Sequence, residues 1–170
     1  DAVRYNFPEV RRPSLSGVVY VDVDFNDVHS SGNDTPIAGA TVALLNAADG
    51  SVIATTTTDP SGAYRFNNLD PAITYTLREV LPSGGYRNRP SAINPGTING
   101  QPCAAGNCVA ETGVSGDAAS TDRIRNIDLS AGFDGEGFNF GEDAITSISG
   151  TVYLDRDDSG SLDRAAGDAG

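Results

Sequence analysis

The sequence predicts an all-β fold, a seven-stranded two-sheet sandwich, and three observations carry that reading. Apolar residues recur with a period of two rather than 3.6, short apolar stretches alternate with Gly, Pro, Asn and Asp, and no stretch keeps a helical period. Successive side chains of a strand point to opposite faces, so each such stretch can bury one face against a second sheet and leave the other wet.

The elements follow in chain order. Val18 and Tyr20 open the first strand after Gly17 and lead into a run of acids. Thr41 to Leu45 and Ser51 to Thr57 form a hairpin across Ala47-Ala48-Asp49-Gly50, where Asp-Gly supplies the positive φ of a tight turn. Thr55 to Thr58 is β-branched and polar, as a half-exposed strand requires, and Asp59-Pro60-Ser61-Gly62 is a turn. Tyr64 and Phe66 share a face. Ile73, Tyr75 and Leu77 alternate with Thr74, Thr76 and Arg78, as do Ile127 and Leu129 with Asn126, Asp128 and Ser130, and Phe138 and Phe140 close the unit. Between them, 83–122 has no sustained period; a stretch of that length inside a compact domain predicts a short strand or hairpin, or a functional decoration. It holds Cys103 and Cys108, whose C-x₄-C spacing predicts a local disulfide stabilising by about 2 kcal/mol. C-x₂-C spacing and partner histidines, which zinc or redox chemistry would use, are absent.

The chain repeats part of itself. At an offset of 133 residues, Tyr5-Asn6-Phe7-Pro8-Glu9 falls on Phe138-Asn139-Phe140-Gly141-Glu142, and Ser14 to Asp22 falls on Ser147 to Asp155, with 10 of 20 positions identical over residues 5–24. Residues 1–13 then read as the last strand of a preceding repeat with its linker, 14–142 as a complete repeat, and 143–170 as a linker with the opening strand and acidic loop of the next. A unit of that size carries its own core, so the array is expected to be beads rather than a solenoid.

The 170 residues carry 23 acids against 11 bases, a net charge of −12. That excess opposes nucleic acid and anionic membrane, which need a cationic face, and suits a self-repelling surface or a binder of hard cations. No apolar run reaches membrane-spanning length, so direct membrane insertion is not expected.

The acids concentrate in the loop after each copy of the first strand. In the second copy Asp155, Asp157, Ser159 and Asp163 stand at positions 1, 3, 5 and 9 with Gly160 at 6, the spacing that folds alternate side chains and the position 7 carbonyl of Ser161 around one calcium ion. Position 12 is Ala166, and Asp168 is the nearest replacement for its acid. The first copy has Asp22, Asp24 and Asn26 at 1, 3 and 5, lacks the glycine, places the Val28 carbonyl at 7, and has Asp34 one residue past position 12 as the closing carboxylate. Nearly all these donors are hard oxygens, which favours Ca²⁺ over zinc. His29, the only histidine, reads as a solvated side chain.

Gly17-Val18-Val19-Tyr20-Val21-Asp22, Ile37 to Val42, Thr57 to Leu69 and the closing Phe138-Asn139-Phe140-Gly141 together resemble the SdrD B-like repeats of serine-aspartate repeat surface proteins, which are similar to Cna-B-like, transthyretin-like sandwiches. The resemblance implies a calcium-stiffened stalk repeat of a bacterial cell-surface adhesin, with the calcium role falling on Asp22, Asp24, Asn26, Asp155, Asp157 and Asp163. Some relatives carry a Lys-Asn isopeptide crosslink; this chain has no Lys.

The functional expectation is a non-enzymatic spacer, extracellular or on a bacterial surface, whose partners are adjacent repeats and, in a filament, neighbouring chains. Asp134, Glu136, Glu142 and Asp143 could share an ion with the next unit. The alternative is an adhesin module that recognises carbohydrate or a host protein through 83–122. A hydrolase is disfavoured, since His29 is the sole imidazole and no nucleophile with a base stands out.

Overall fold

A computed structural model describes residues 11–103, 107–111, 122–156, 158–160 and 162. Two sheets face each other. The first holds β1 (Leu15–Val21), β2 (Thr35–Pro36), β5 (Ala63–Phe66), β7 (Tyr86–Ile98), β8 (Gln101–Pro102) and β11 (Gly135–Ala144), in the order β2-β1-β11-β7-β8 with β5 also on β1. The second holds β3 (Thr41–Asn46), β4 (Val52–Thr57), β6 (Thr74–Val80), β9 (Val109–Glu111) and β10 (Arg123–Asp128), in the order β4-β3-β6-β10-β9. Among the described residues, no helix is long and apolar enough to cross a membrane.

The period-two pattern becomes the core. Leu15, Val19, Val42, Leu44, Leu77, Ile124, Ile127, Leu129, Phe138 and Phe140 are fully buried between the sheets. All seven strands read from the sequence are present, and β2, β7, β8 and β9 are added to them. The hairpin of β3 and β4 pairs Thr41 with Thr57 and turns through Gly50 at φ 73°. On β10 the alternation breaks: a bulge between Ile124 and Ile127, with Asn126 at φ 59°, turns both isoleucines inward despite their odd spacing.

The unpatterned 83–122 stretch supplies β7, the longest strand, which pairs along β11 from Tyr86↔Ala144 to Ile98↔Gly135. Among the described residues only its last two also pair with β8, which leaves most of its other edge without a ladder, and an edge position tolerates Pro95. Asn99 and Gly100, at φ 53° and 70°, turn β7 into β8 as a tight hairpin.

Among the described residues β1 and β11 are the one parallel pair, and the recurring motif residues sit where they meet. A Cβ on Gly17 would lie 1.8 Å from the Phe138 carbonyl oxygen. Tyr64 donates its hydroxyl proton to that oxygen (2.6 Å), and Val18 N–H donates to Asn139 Oδ1 (3.0 Å) across the shift in register. The glycine therefore lets two backbones touch, and the asparagine satisfies a donor the ladder leaves open.

Candidate metal centre

Asp22 is the first residue beyond β1. Its N–H still donates to the Glu142 carbonyl of β11 (3.0 Å), while its side chain is buried as the chain leaves the sheet. The loop wraps around that carboxylate: Oδ1 accepts from Asn26 N–H (3.2 Å) and Oδ2 from Asp27 N–H (2.8 Å). So tight a wrap needs left-handed backbone, found at Phe25 (φ 57°) and Asp27 (φ 64°). Asp34 closes the loop, its Oδ1 accepting from Val23 N–H (3.0 Å) and its Oδ2 from Ser30 N–H (2.7 Å).

These turns bring carboxylate oxygens of Asp22, Asp24 and Asp34 within 4.8 Å of one another. Calcium binds oxygen at about 2.3–2.6 Å, so ligands facing each other across an ion lie roughly 4.6–5.2 Å apart and the trio fits a single shell. The donor chemistry agrees, since hard, anionic oxygens drawn this close repel one another without a cation between them. Asn26 shares the turn, donating from Nδ2 to Asp24 Oδ2 (2.9 Å) and accepting from Val28 N–H at Oδ1 (2.8 Å). Asn33 Nδ2 donates to the same Asp24 oxygen (3.0 Å). His29 packs edge-on against Tyr20, with ring centroids 4.9 Å apart.

The second loop repeats the geometry. Asp155 Oδ1 accepts from Ser159 N–H (3.1 Å) and Oδ2 from Gly160 N–H (2.7 Å), with Asp158 at φ 57° and Gly160 at φ 73°. Each bond and each left-handed residue lies 133 positions after its counterpart, so Asp27 occupies the place that Gly160 fills. Asp157, Ser161, Asp163 and Asp168 lie outside the described residues.

An aspartate in a glycine's place needs support, and β7 provides it. Ser91 Oγ donates to Asp27 Oδ1 (2.8 Å) and Asn94 Nδ2 to the Asp27 carbonyl (3.0 Å). The Arg89 guanidinium reaches Asp22 and Asp27 (2.8 Å each) and Asp143 (3.1 Å). The Ser91 hydroxyl, helped by Arg89, holds the Asp27 carboxyl below the usual carboxylate range. Sequence reading missed these residues because they lie more than 60 positions from the loop; the only local trace is a polar β7 rich in hydrogen-bonding side chains.

The junction acids do not form one site. Asp134 accepts from Ser14 N–H (2.7 Å) and Oγ (2.8 Å) and pairs with Arg11, whereas Asp143, at the far end of ten-residue β11, pairs with Arg87 and Arg89. A strand of that length separates them by about 30 Å, so a single shared ion cannot bridge them. Glu142 points inward and is fully buried, as is Glu79, and none of their four carboxylate oxygens has a hydrogen-bond partner among the described residues. Burial, reinforced by Asp122, pushes Glu79 up to about 8; burial, reinforced by Glu79, Asp122 and Asp143, pushes Glu142 up to about 9. Cys103 and Cys108 form a close pair with Cα atoms 5.8 Å apart, inside the range a disulfide requires.

Comparison with known proteins adds the family. The SdrD B-like domain matches residues 13–132. Colossin-A of Dictyostelium discoideum is 30% identical over 81 residues, 48% of this chain and 1% of that protein. Serine-aspartate repeat-containing protein I of Staphylococcus saprophyticus is 42% identical over 64 residues, 38% of this chain and 3% of that protein. The chain thus spans a few per cent or less of the length of these relatives. Among solved structures, the major plantain pollen allergen Pla l 1 (16% identity, TM-score 0.39, 80% of this chain and 98% of that chain) and the shaft pilin SpaA of Lactobacillus rhamnosus GG (13%, 0.39, 81% and 51%) are similar. The match to the domain extends over well more than half of the sequence, and the chain belongs to the SdrD B-like domain family.

Proposed function

We propose that this chain is a calcium-stabilised structural repeat from the stalk of an extracellular bacterial surface adhesin, and that its partners are the adjacent repeats of the same protein. The convergence of Asp22, Asp24 and Asp34 carries the calcium reading: a loop already wrapped around Asp22 and braced from β7 gains a further cross-link when one ion joins three carboxylates. Asn26 and the Val28 carbonyl are the further donors in that loop, and Asp155 with Ser159 begins the second site.

Burial supports the division into one whole repeat, 14–142, with pieces of its neighbours. Leu15 and Val19 are 0% exposed and Val21 9%, whereas their counterparts Ile148, Val152 and Leu154 are 102%, 94% and 60% exposed. The same motif is core in one copy and bare in the other, as an opening strand without the rest of its repeat would be. The great length of the relatives fits such an array. Within the repeat, the Cys103–Cys108 disulfide pins the end of the β8–β9 connection.

Calorimetric titration with Ca²⁺ tests the proposal, on the unchanged chain and on Asp22→Ala and Asp155→Ala. Each substitution should remove one binding event. A micromolar site at millimolar Ca²⁺ adds about 4 kcal/mol to folding, so chelation should lower the melting temperature by roughly 10 °C. An identical melt with and without chelator, together with no heat of binding, would exclude the calcium reading.

A further inference from the structure

Arg89 stands on β7 with its side chain 16% exposed and meets the acidic loop from behind. Its guanidinium contacts Asp22 Oδ2 (2.8 Å), Asp27 Oδ1 (2.8 Å) and Asp143 Oδ1 (3.1 Å), donates to the Phe25 carbonyl (3.2 Å), and lies 4.9 Å from the Phe25 ring centroid. Asp22 is therefore shared: it belongs to the trio of gathered carboxylates and is also an ion-pair partner of a positive charge that cannot leave. The trio carries three negative charges, and a divalent ion neutralises two. Arg89 sets a fixed positive charge against the most buried member, a charge it also shares with Asp27 and Asp143.

We propose that Arg89 is a fixed counter-charge that matches the Asp22–Asp24–Asp34 site to a divalent rather than a trivalent cation. This inference rests on the calcium reading of the loop. The physical basis is that the repulsion between a fixed positive charge and a bound ion grows in proportion to the charge on the ion, whereas the hold Arg89 has on Phe25 and Asp27 is blind to it. A charge-setting residue and a loop-shaping residue thus leave different traces. Removing the first tightens all cations, and the trivalent ones most; removing the second weakens all cations by a common factor.

Ca²⁺ and Tb³⁺, close in size and different in charge, separate these outcomes. Affinities are measured on the full chain by calorimetry for Ca²⁺ and by terbium luminescence, with Asp155→Ala as background so that one loop is read. Arg89→Gln should tighten Ca²⁺ on the order of tenfold and Tb³⁺ by about thirtyfold, the same electrostatic effect scaled by three halves. Arg89→Lys, which keeps the charge and loses the planar fork, should leave the ratio of the two affinities unchanged. Equal weakening of both ions by Arg89→Gln, or an unchanged ratio, overturns the proposal and leaves the calcium reading standing. Should Arg89→Gln fail to fold, Arg89→Lys decides by absolute affinity: affinities for both ions within twofold of the parent support charge matching, because the charge is kept, and a common loss of more than tenfold shows that the fork shapes the loop and overturns it. A parent protein that binds neither ion at millimolar concentration removes the calcium reading and this proposal together.

Discussion

Glu79 and Glu142 face inward from opposite sheets, each with both carboxylate oxygens lacking a hydrogen-bond partner among the described residues. A carboxyl placed so keeps its proton, which is how burial lifts Glu79 from an ordinary 4.5 to about 8. A group that holds its proton more tightly when folded contributes most to stability below its unfolded pKa, and that contribution is lost as the pH rises through its folded pKa. In metal-free buffer the melting temperature should therefore fall between pH 5 and pH 8. Glu79→Gln resembles the protonated acid in shape and cannot ionise, so it should flatten that fall and melt higher than the parent at pH 8 while matching it near pH 4.5. Parallel melting curves across the range would show that Glu79 is ionised and solvated. Sequence reading passed over Glu79 because it is charged, although it keeps the parity of Tyr75 and Leu77; the register of β6 against Val42 of β3 fixes its inward orientation, and the want of a partner for its carboxylate was not legible.

At the scale of elements, the acidic loop is a joint construction of β1, which delivers Asp22, and β7, which holds Asp27. Asn94 donates to the Asp27 carbonyl, so Asn94→Ala should cost about 1 kcal/mol and speed amide exchange at residues 23–28 while leaving β10 protected. Unaltered exchange in the loop would mean that the other β7 contacts suffice. The two halves of this device differed in legibility for a physical reason. Spacing along a chain encodes which side chains a tight turn can gather, so Asp22, Asp24 and Asp34 could be named in advance. A brace delivered from a distant strand leaves no such spacing. β7 was hidden as well, because a strand that is paired mainly on one side and rich in polar groups shows neither alternation nor a ban on proline. Six of the seven legible strands send buried apolar residues into the core, β4 being mostly exposed, whereas β7 adds little more than Ile93.

For the whole molecule, the recurring motif gives an internal control on the idea of tandem repeats. Gly17 and Gly150 are the same motif residue in two settings. Beside Gly17 the Phe138 carbonyl leaves no room for a side chain, while around Gly150 nothing lies within 4 Å of an added Cβ. Gly17→Ala forces apart two backbones in the centre of a sheet and should destabilise by about 3 kcal/mol or more. Gly150→Ala should leave the melt of this chain unchanged, because among the described residues nothing stands where an added methyl would collide. If residues 143–170 open a second sandwich, the outcome reverses on a longer chain that carries that repeat to its own Phe-Asn-Phe strand. There Ile148, Val152 and Leu154 become core, Gly150 meets a carbonyl as Gly17 does, and Gly150→Ala should destabilise the second transition by the amount that Gly17→Ala takes from the first. Thermal melts of the two variants in both chain lengths measure all four effects. A Gly150→Ala substitution that stays silent in the longer chain would show that the copied sequence does not rebuild the β1–β11 contact, and the division of the array into equivalent beads would have to be withdrawn.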